Sequence, residues 1–420
     1  MPPTDRTPLL PADANGAHHP QTFGQRFQAL VNPQHGPSVA QSMRFFFFGT
    51  WFNIFLVFVP LSVISHHLGW DAVYRFSFSF LAILPLAKLL GEATDQLSSE
   101  LGDTLAGLLN ASFGNAIEVI VGVAALLQGE LRIVQTSMLG SILSNLLLVL
   151  GCSFLAGGLK YHELTFQVTA AQTSASLMTL AVITLVIPAA YHAAKSSGIQ
   201  PLMNGTLPIY DDTPPNPQDP SLDGLLIISR GTAILLLFIY VAYLYFQLGT
   251  HGDLFKSELE GEEEEEEPKM NTISAGVSLL AVTVVTSFCA DYLVASIEET
   301  SERWHLPKPF IGLILIPIVA NAAEHVTSIW MAIKNKTELT IGICVGSSIQ
   351  IATFVIPLLV LVGWATGHEL TLYFANFETC VMFVSVVLVN LLISDGKSNY
   401  LEGLLLIILY LTIGLAFWVS

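Results

Sequence analysis

Two short stretches carry the residues most capable of chemistry. Gly114-Asn115-Ala116-Ile117-Glu118 and Ala320-Asn321-Ala322-Ala323-Glu324-His325 lie 206 positions apart, each inside an otherwise apolar run. On a helix the three-residue spacing sets Asn115 beside Glu118, and Asn321 beside Glu324. Inserting a charged group at the centre of a bilayer costs about 2.5–3.5 kcal/mol, and such residues mark ion pathways and proton relays. A carboxylate in that setting holds a proton or shares a metal cation, and an amide oxygen adds a neutral ligand. The bland alternative is a protonated glutamate gluing helices together. It accounts for one such stretch better than for two with the same asparagine partner.

The surrounding chain fits a membrane setting. Of its 420 residues 52% are hydrophobic and 12% charged, and mean hydropathy is +0.62. Soluble domains carry about 25% charged residues, so an all-α polytopic membrane protein is expected. The net charge of −17 comes mostly from loops and one glutamate run, and there is no basic stripe to bind nucleic acid. Cys152, Cys289, Cys344 and Cys380 fall in apolar segments at unrelated spacings, which reads as small packing residues, not a disulfide framework or zinc site. No Gly-x-x-x-x-Gly-Lys-Ser/Thr loop is present and no enzyme or resident cofactor is expected. Asp291 lacks the second aspartate of an intramembrane hydrolase.

Residues 1–43 are polar and read as a disordered cytosolic tail without a cleaved signal peptide. Within it Asp5, Leu9 and Leu10 have the spacing of an acidic dileucine sorting signal, an address that adaptors read. Eleven apolar stretches of about 20 residues follow, near 44–66, 72–90, 104–127, 133–157, 165–190, 223–248, 272–297, 309–333, 338–364, 369–394 and 399–419. Two loops interrupt them. Residues 191–222 hold six prolines from Pro201 to Pro220 and cannot continue a helix. Residues 249–271 contain Glu258, Glu260 and the unbroken run Glu262, Glu263, Glu264, Glu265, Glu266 and Glu267, charges that repel and stay solvated. With the N-terminus in the cytosol, ten of the 16 lysines and arginines fall on that side, a mild bias of the expected sign. The acidic linker is then cytosolic, and the sequon at Asn204 faces a lumen.

Shifting the chain by 206 residues superimposes more than the two stretches. Gly140-Ser141 maps onto Gly346-Ser347, Ser144 onto Gln350 and Glu92 onto Glu298. This predicts two five-helix repeats, 72–248 and 272–420, with 44–66 as an extra N-terminal helix and 249–271 as linker. An odd number of spans per repeat makes the halves enter the membrane from opposite sides. Such inverted repeats build secondary transporters whose sites lie at the repeat interface near the midplane. The helix after each motif then offers further oxygen and amide groups: Ser141, Ser144 and Asn145 from one repeat, Ser347, Ser348 and Gln350 from the other. Two carboxylates with hydroxyl, amide and carbonyl oxygens suit a hard divalent cation, Ca²⁺ first, with Mn²⁺ as the borderline alternative. His325, beside Glu324, is a candidate for proton coupling or gating, or for a local hydrogen bond.

Gly-Asn-Ala-Ile-Glu at 114–118, Asn-Ala-Ala-Glu-His at 321–325 and Gly-Ser-Ser-Ile-Gln at 346–350 resemble the paired signatures of Ca²⁺/H⁺ exchangers. These belong to the cation/calcium-antiporter superfamily, and the fungal vacuolar branch is the most similar. The resemblance spans about 44–419 and implies a ten-helix transport core plus the extra helix. It implies that Glu118 and Glu324 bind Ca²⁺ and alternately carry protons, moving Ca²⁺ from the cytosol into an acidic compartment such as the vacuole. Asn115, Asn321, Ser141, Ser347 and Gln350 would line the site, and Glu92, Glu298 and the linker acids would serve as accessory or regulatory groups. Ala320 departs from the pattern where the first copy has Gly114. Two rival readings remain open here, a Na⁺-driven Ca²⁺ exchanger and a cation channel. The linker is either a solvated spacer or a Ca²⁺ sensor. Deleting 258–267 separates these: a sensor lowers the apparent Ca²⁺ affinity of uptake, whereas a spacer leaves it unchanged.

Overall fold

The computed structural model describes residues 37–99, 101, 103–196, 222–252 and 269–419. The sorting motif at Asp5, Leu9 and Leu10, the proline-rich loop with its sequon, and Glu262 to Glu267 lie outside the described residues. Lipid offers backbone groups no hydrogen bonds, so an apolar span satisfies its own by forming a helix. Seven described helices are long and apolar enough to cross a membrane: Ala72–Ser98, Leu131–Lys160, Val168–His192, Leu222–Thr250, Thr272–Val294, Thr337–Thr366 and Tyr400–Val419. Three bent pairs raise the count to ten if each is one span. The chain is thus an all-helical membrane protein with seven to ten candidate spans. Its outward faces carry exposed apolar side chains such as Phe238, Val241, Leu280, Val284, Leu411 and Leu415.

Structure departs from the sequence expectation at both ends of several spans. The tail expected over 1–43 meets a helix, Val39–Phe48, at its C-terminal end. Ser38 caps it, accepting the Gln41 amide while the Gln41 side chain accepts that of Ser38. That helix then turns by 83° into Trp51–His67. The turn frees carbonyls that Asn53 satisfies, its Nδ2 donating to Phe46 O at 2.8 Å and Phe47 O at 3.1 Å. The stretch placed near 369–394 is helical only over Asn376–Leu392. Before it, Gly367 takes a left-handed conformation at φ 77° and ends the preceding helix. The buried non-helical residues after it find partners: Leu372 N donates to Ser229 Oγ at 2.9 Å, and Thr371 O accepts Gln135 Nε2 at 3.0 Å.

Two long helices form the centre. Leu131–Lys160 and Thr337–Thr366 are the most buried of the seven, and each contains a π-helical turn, at Ser144–Val149 and Ile351–Val355. Such turns are rare and gather at functional sites. Thr272–Val294 packs along Ala72–Ser98, and Tyr400–Val419 crosses Leu150–Lys160. This crossing depends on small residues, as membrane helix contacts often do. A Cβ on Gly403 would lie 2.4 Å from Leu155 N and 2.6 Å from Gly151 O. Gly403→Val is therefore expected to destabilise the protein by about 1–3 kcal/mol, read as a fall in unfolding temperature in detergent.

Candidate cation site

Both Asn-x-x-Glu stretches fold as breaks in a span. Leu105–Phe113 stops and Ala116–Leu127 restarts at a bend of 42°; Lys308–Ala320 stops and Ala322–Ile333 restarts at 57°. Asn115 (φ −111°, ψ 33°) and Asn321 (φ −88°, ψ 12°) each precede the second half, and Glu118 and Glu324 each sit in its first turn. The unpaired amides and dipole of a helix N-terminus favour negative charge there. A break thus supplies local positive potential where an intact helix would supply none. Each half of the chain thus starts a helix at a break with a carboxylate in its first turn.

Hydrogen bonds knit the halves together. Asn145 Nδ2 donates to Ser347 Oγ at 2.9 Å, Ser347 Oγ to Asn115 Oδ1 at 2.8 Å, and Asn115 Nδ2 to Gln350 Oε1 at 2.6 Å. Each step of this relay crosses from one half of the chain to the other. Asn321 Nδ2 reaches Ser141 O at 3.3 Å, and the Glu324 carboxylate lies against Ser347 and Asn145. Three buried oxygens at this place have no hydrogen-bond partner: Asn145 Oδ1, Asn321 Oδ1 and Glu324 Oε2. Buried polar atoms are nearly always paired, so this cluster wants protons or a cation. Its oxygen chemistry suits a hard divalent ion. Among the described residues no three of His, Cys, Asp and Glu converge as a metal cluster.

A cavity of about 470 Å³ reaches the site from one side. Glu324, Ser347, Gln350, Gly114 and Asn110 line it, with Gln247 and Leu248 from the end of Leu222–Thr250. Glu118, Asn115, Asn321, Ser141, Ser144 and Asn145 are buried and do not line it. Its charged lining residues are Asp95 and Glu324, both acids. Asp95 escaped the sequence analysis because it follows the apolar part of its helix, which runs to Ser98 and not to about 90.

Other expected site residues lie elsewhere. His325 is half-buried and does not line the cavity. Glu92 bonds Lys88 of its own helix at 2.9 Å, and Glu298 bonds Lys308 at 3.0 Å at the far end of the Glu324 helix pair. The small residues Gly140 and Gly346, expected to act alike, differ. A Cβ on Gly140 would lie 2.2 Å from Leu313 O and 2.6 Å from Pro317 Cγ, whereas one on Gly346 meets nothing within 4 Å. The repeat counterparts of Leu313 and Pro317 are Gly107 and Ala111, and both line the cavity. One repeat contact is closed and its counterpart is open.

A helical membrane protein with a buried and a cavity-lining carboxylate at breaks in two spans is the class that fold and site define. The chain belongs to the sodium/calcium exchanger protein family, a family of transporters and not enzymes, whose pattern it matches over 72–249 and 274–419. It is 44% identical over 415 residues to a vacuolar calcium ion transporter of Schizosaccharomyces pombe, covering 99% of this chain and 93% of that one. It is 40% identical over 376 residues to a Ca²⁺/H⁺ antiporter of Aphanothece halophytica, covering 86% and 95%. The crystal structure of the Ca²⁺/H⁺ antiporter protein YfkE superimposes with a TM-score of 0.70 at 33% identity, covering 88% and 99%.

The glycine asymmetry has a measurable consequence. Gly140→Ala should lower stability by about 1–3 kcal/mol through overpacking against backbone, and Gly346→Ala by less than about 0.5 kcal/mol. Thermal unfolding of the two variants in detergent compares them.

Proposed function

We propose that this protein is a Ca²⁺/H⁺ antiporter that moves Ca²⁺ out of the cytosol into an acidic compartment, the vacuole by the names of its relatives. The observation that carries this reading is the pair of carboxylates at helix breaks in opposite halves, Glu118 buried and Glu324 in the cavity wall, with an amide–hydroxyl relay and unpaired buried oxygens between the halves. The seven spans, three bent pairs and the shorter apolar helix Asn376–Leu392 support eleven transmembrane helices. These form inverted repeats 72–248 and 272–420, with 44–66 extra and the tail and linker 249–271 in the cytosol. In that orientation the cavity, rimmed by Gln247 and Leu248 next to the linker, opens to the cytosol. Asp5, Leu9 and Leu10 then serve as the sorting address.

Desolvation favours a neutral carboxyl and a bound divalent cation favours the carboxylate. Each glutamate therefore holds a proton or a share of Ca²⁺, but not both. Ca²⁺ enters past Asp95, meets Glu324 first because Glu324 lines the cavity, and is completed by Glu118 as the site closes. Asn115, Asn321, Ser141, Ser144, Asn145, Ser347 and Gln350 line or brace it. Acid on the lumenal side protonates Glu118 and Glu324 and releases Ca²⁺ there. The neutral, protonated site turns back; an empty, doubly charged one is held by its own desolvation cost. Exchange is obligatory for that reason.

Radiolabelled Ca²⁺ uptake into proteoliposomes with an imposed pH gradient tests the assignment. Wild-type uptake should stop when the gradient is collapsed, and Glu118→Gln and Glu324→Gln should each fall to background. Uptake driven by a Na⁺ gradient instead would make this a Na⁺-driven exchanger, and flux indifferent to an opposing proton gradient a channel. In a second measurement, Ca²⁺ at a hundred times its dissociation constant should stabilise the wild type by about 2.7 kcal/mol. Glu324→Gln should lose that thermal shift.

A further inference from the structure

A broken helix leaves carbonyls that the missing turn would have bonded, and buried carbonyls must be paired. At the first break a side chain from another span claims one of them. Ala111 stands four residues before Asn115, whose amide its carbonyl would accept in an unbroken helix. That carbonyl accepts Tyr240 Oη instead, at 3.0 Å. Its equivalent at the second break, Pro317 O, still accepts the Asn321 amide at 2.9 Å.

Tyr240 is buried within Leu222–Thr250. Its ring stacks on Phe354, with centroids 5.1 Å apart and planes 20° from parallel. Phe354 belongs to the π-helical turn Ile351–Val355, and Gln350, which grips Asn115, directly precedes that turn. One side chain therefore meets the half-helix Leu105–Phe113 with its hydroxyl and the central helix Thr337–Thr366 with its ring. Leu244 and Leu248 follow at four-residue steps, so the three share a face, and both leucines line the cavity. Leu248 lies on the same half-helix, where a Cβ on Gly107 would strike it. Ser98 Oγ also holds the half-helix, donating to Asn110 Oδ1 at 3.0 Å, but toward Ala72–Ser98 and not toward the central helix.

Across from this contact the central helix stands clear, for a Cβ added to Gly342 or Gly346 meets nothing within 4 Å. We propose that Tyr240 is a strut, a positioning residue that sets the distance between Leu105–Phe113 and Thr337–Thr366 and so keeps the way to Glu324 open. It acts through Ala111, which lines the cavity, and through Phe354. The strut rests on the cavity being the way to Glu324, whichever ion passes, so its test reads access without any ion gradient.

Gly342→Cys places a thiol on the cavity wall. Its rate of labelling by a membrane-impermeant maleimide, with the full chain in lipid nanodiscs, reports the opening; each variant without Gly342→Cys is its own blank. A hydrogen bond contributes roughly a twofold to tenfold factor to an equilibrium, so Tyr240→Phe should slow labelling by that factor. Tyr240→Ala, which also removes the ring, should slow it further. A side chain that merely stabilised the fold would act with the opposite sign, because a loosened wall exposes the thiol and speeds labelling. Unchanged or faster labelling in Tyr240→Phe overturns the strut. Equal slowing in Ser98→Ala, which cuts a different bond of the same half-helix, overturns it too. If Tyr240→Phe does not fold, Phe354→Leu removes the ring beneath it and must slow labelling for the strut to stand. Slowed labelling in a protein that shows no proton-driven Ca²⁺ uptake strikes the exchanger reading and keeps the strut.

Discussion

Everything in this structure answers to the burial of two carboxylates in an apolar bundle. A continuous helix offers a mid-span glutamate no compensation, because each backbone amide is already spent on the preceding turn. Breaking the helix one turn earlier releases amides and leaves the carboxylate in a first turn, where the dipole favours negative charge. Asn115 and Asn321 occupy those breaks. Their side chains have a second duty, since a broken helix leaves loose ends that must be held: Asn115 is gripped by Gln350 and Ser347, and Asn321 reaches the backbone of Ser141. The remaining unpaired oxygens beside Glu324 are unmet interactions, which in the mechanism proposed above a cation or protons relieve.

A symmetric plan is realised here as an asymmetric object. The two motifs, the bends at them and the π-helical turns of the two central helices correspond across the halves. The packing around them does not. Leu313 and Pro317 press on Gly140, but Gly107 and Ala111 stand back from Gly346 and leave a cavity. Glu324 consequently lines the cavity, whereas Glu118 is 3% exposed. Equivalent residues in sequence are thus inequivalent in solvent access, which is what a carrier caught with one side open requires.

Charge is distributed to match. Among the described residues the charged side chains of the cavity wall are acids, Asp95 and Glu324, which draw cations in and repel anions. At the opposite end acids and bases are paired off, with Arg75, Arg303 and Lys308 each facing a carboxylate. Glu378, 1% exposed, is held there by Arg132 and also accepts the Ala375 amide at 3.2 Å. Neutralised pairs permit close approach of helix ends that unpaired charges would keep apart.

The sequence by itself determined the class, the repeat and the carboxylates. Apolar runs of bilayer length must be helices, and a charge within them is costly enough to stand out; both facts are local, and Asn115, Glu118, Asn321 and Glu324 were legible on that ground. Parity of spans is also the ground for the inversion proposed above. Tertiary structure decided which groups meet. The relay from Asn145 through Ser347 and Asn115 to Gln350 joins residues up to 235 positions apart, and no periodicity encodes a contact between distant helices. Glu92 and Glu298 illustrate the same limit, for as repeat counterparts they read alike, yet one bonds its own helix and the other ties two helix ends together. Asp95 was hidden because apolar composition ends before its helix does. Which side stands open lay furthest from reach, since the matching motifs of the two halves read alike and only packing breaks the tie.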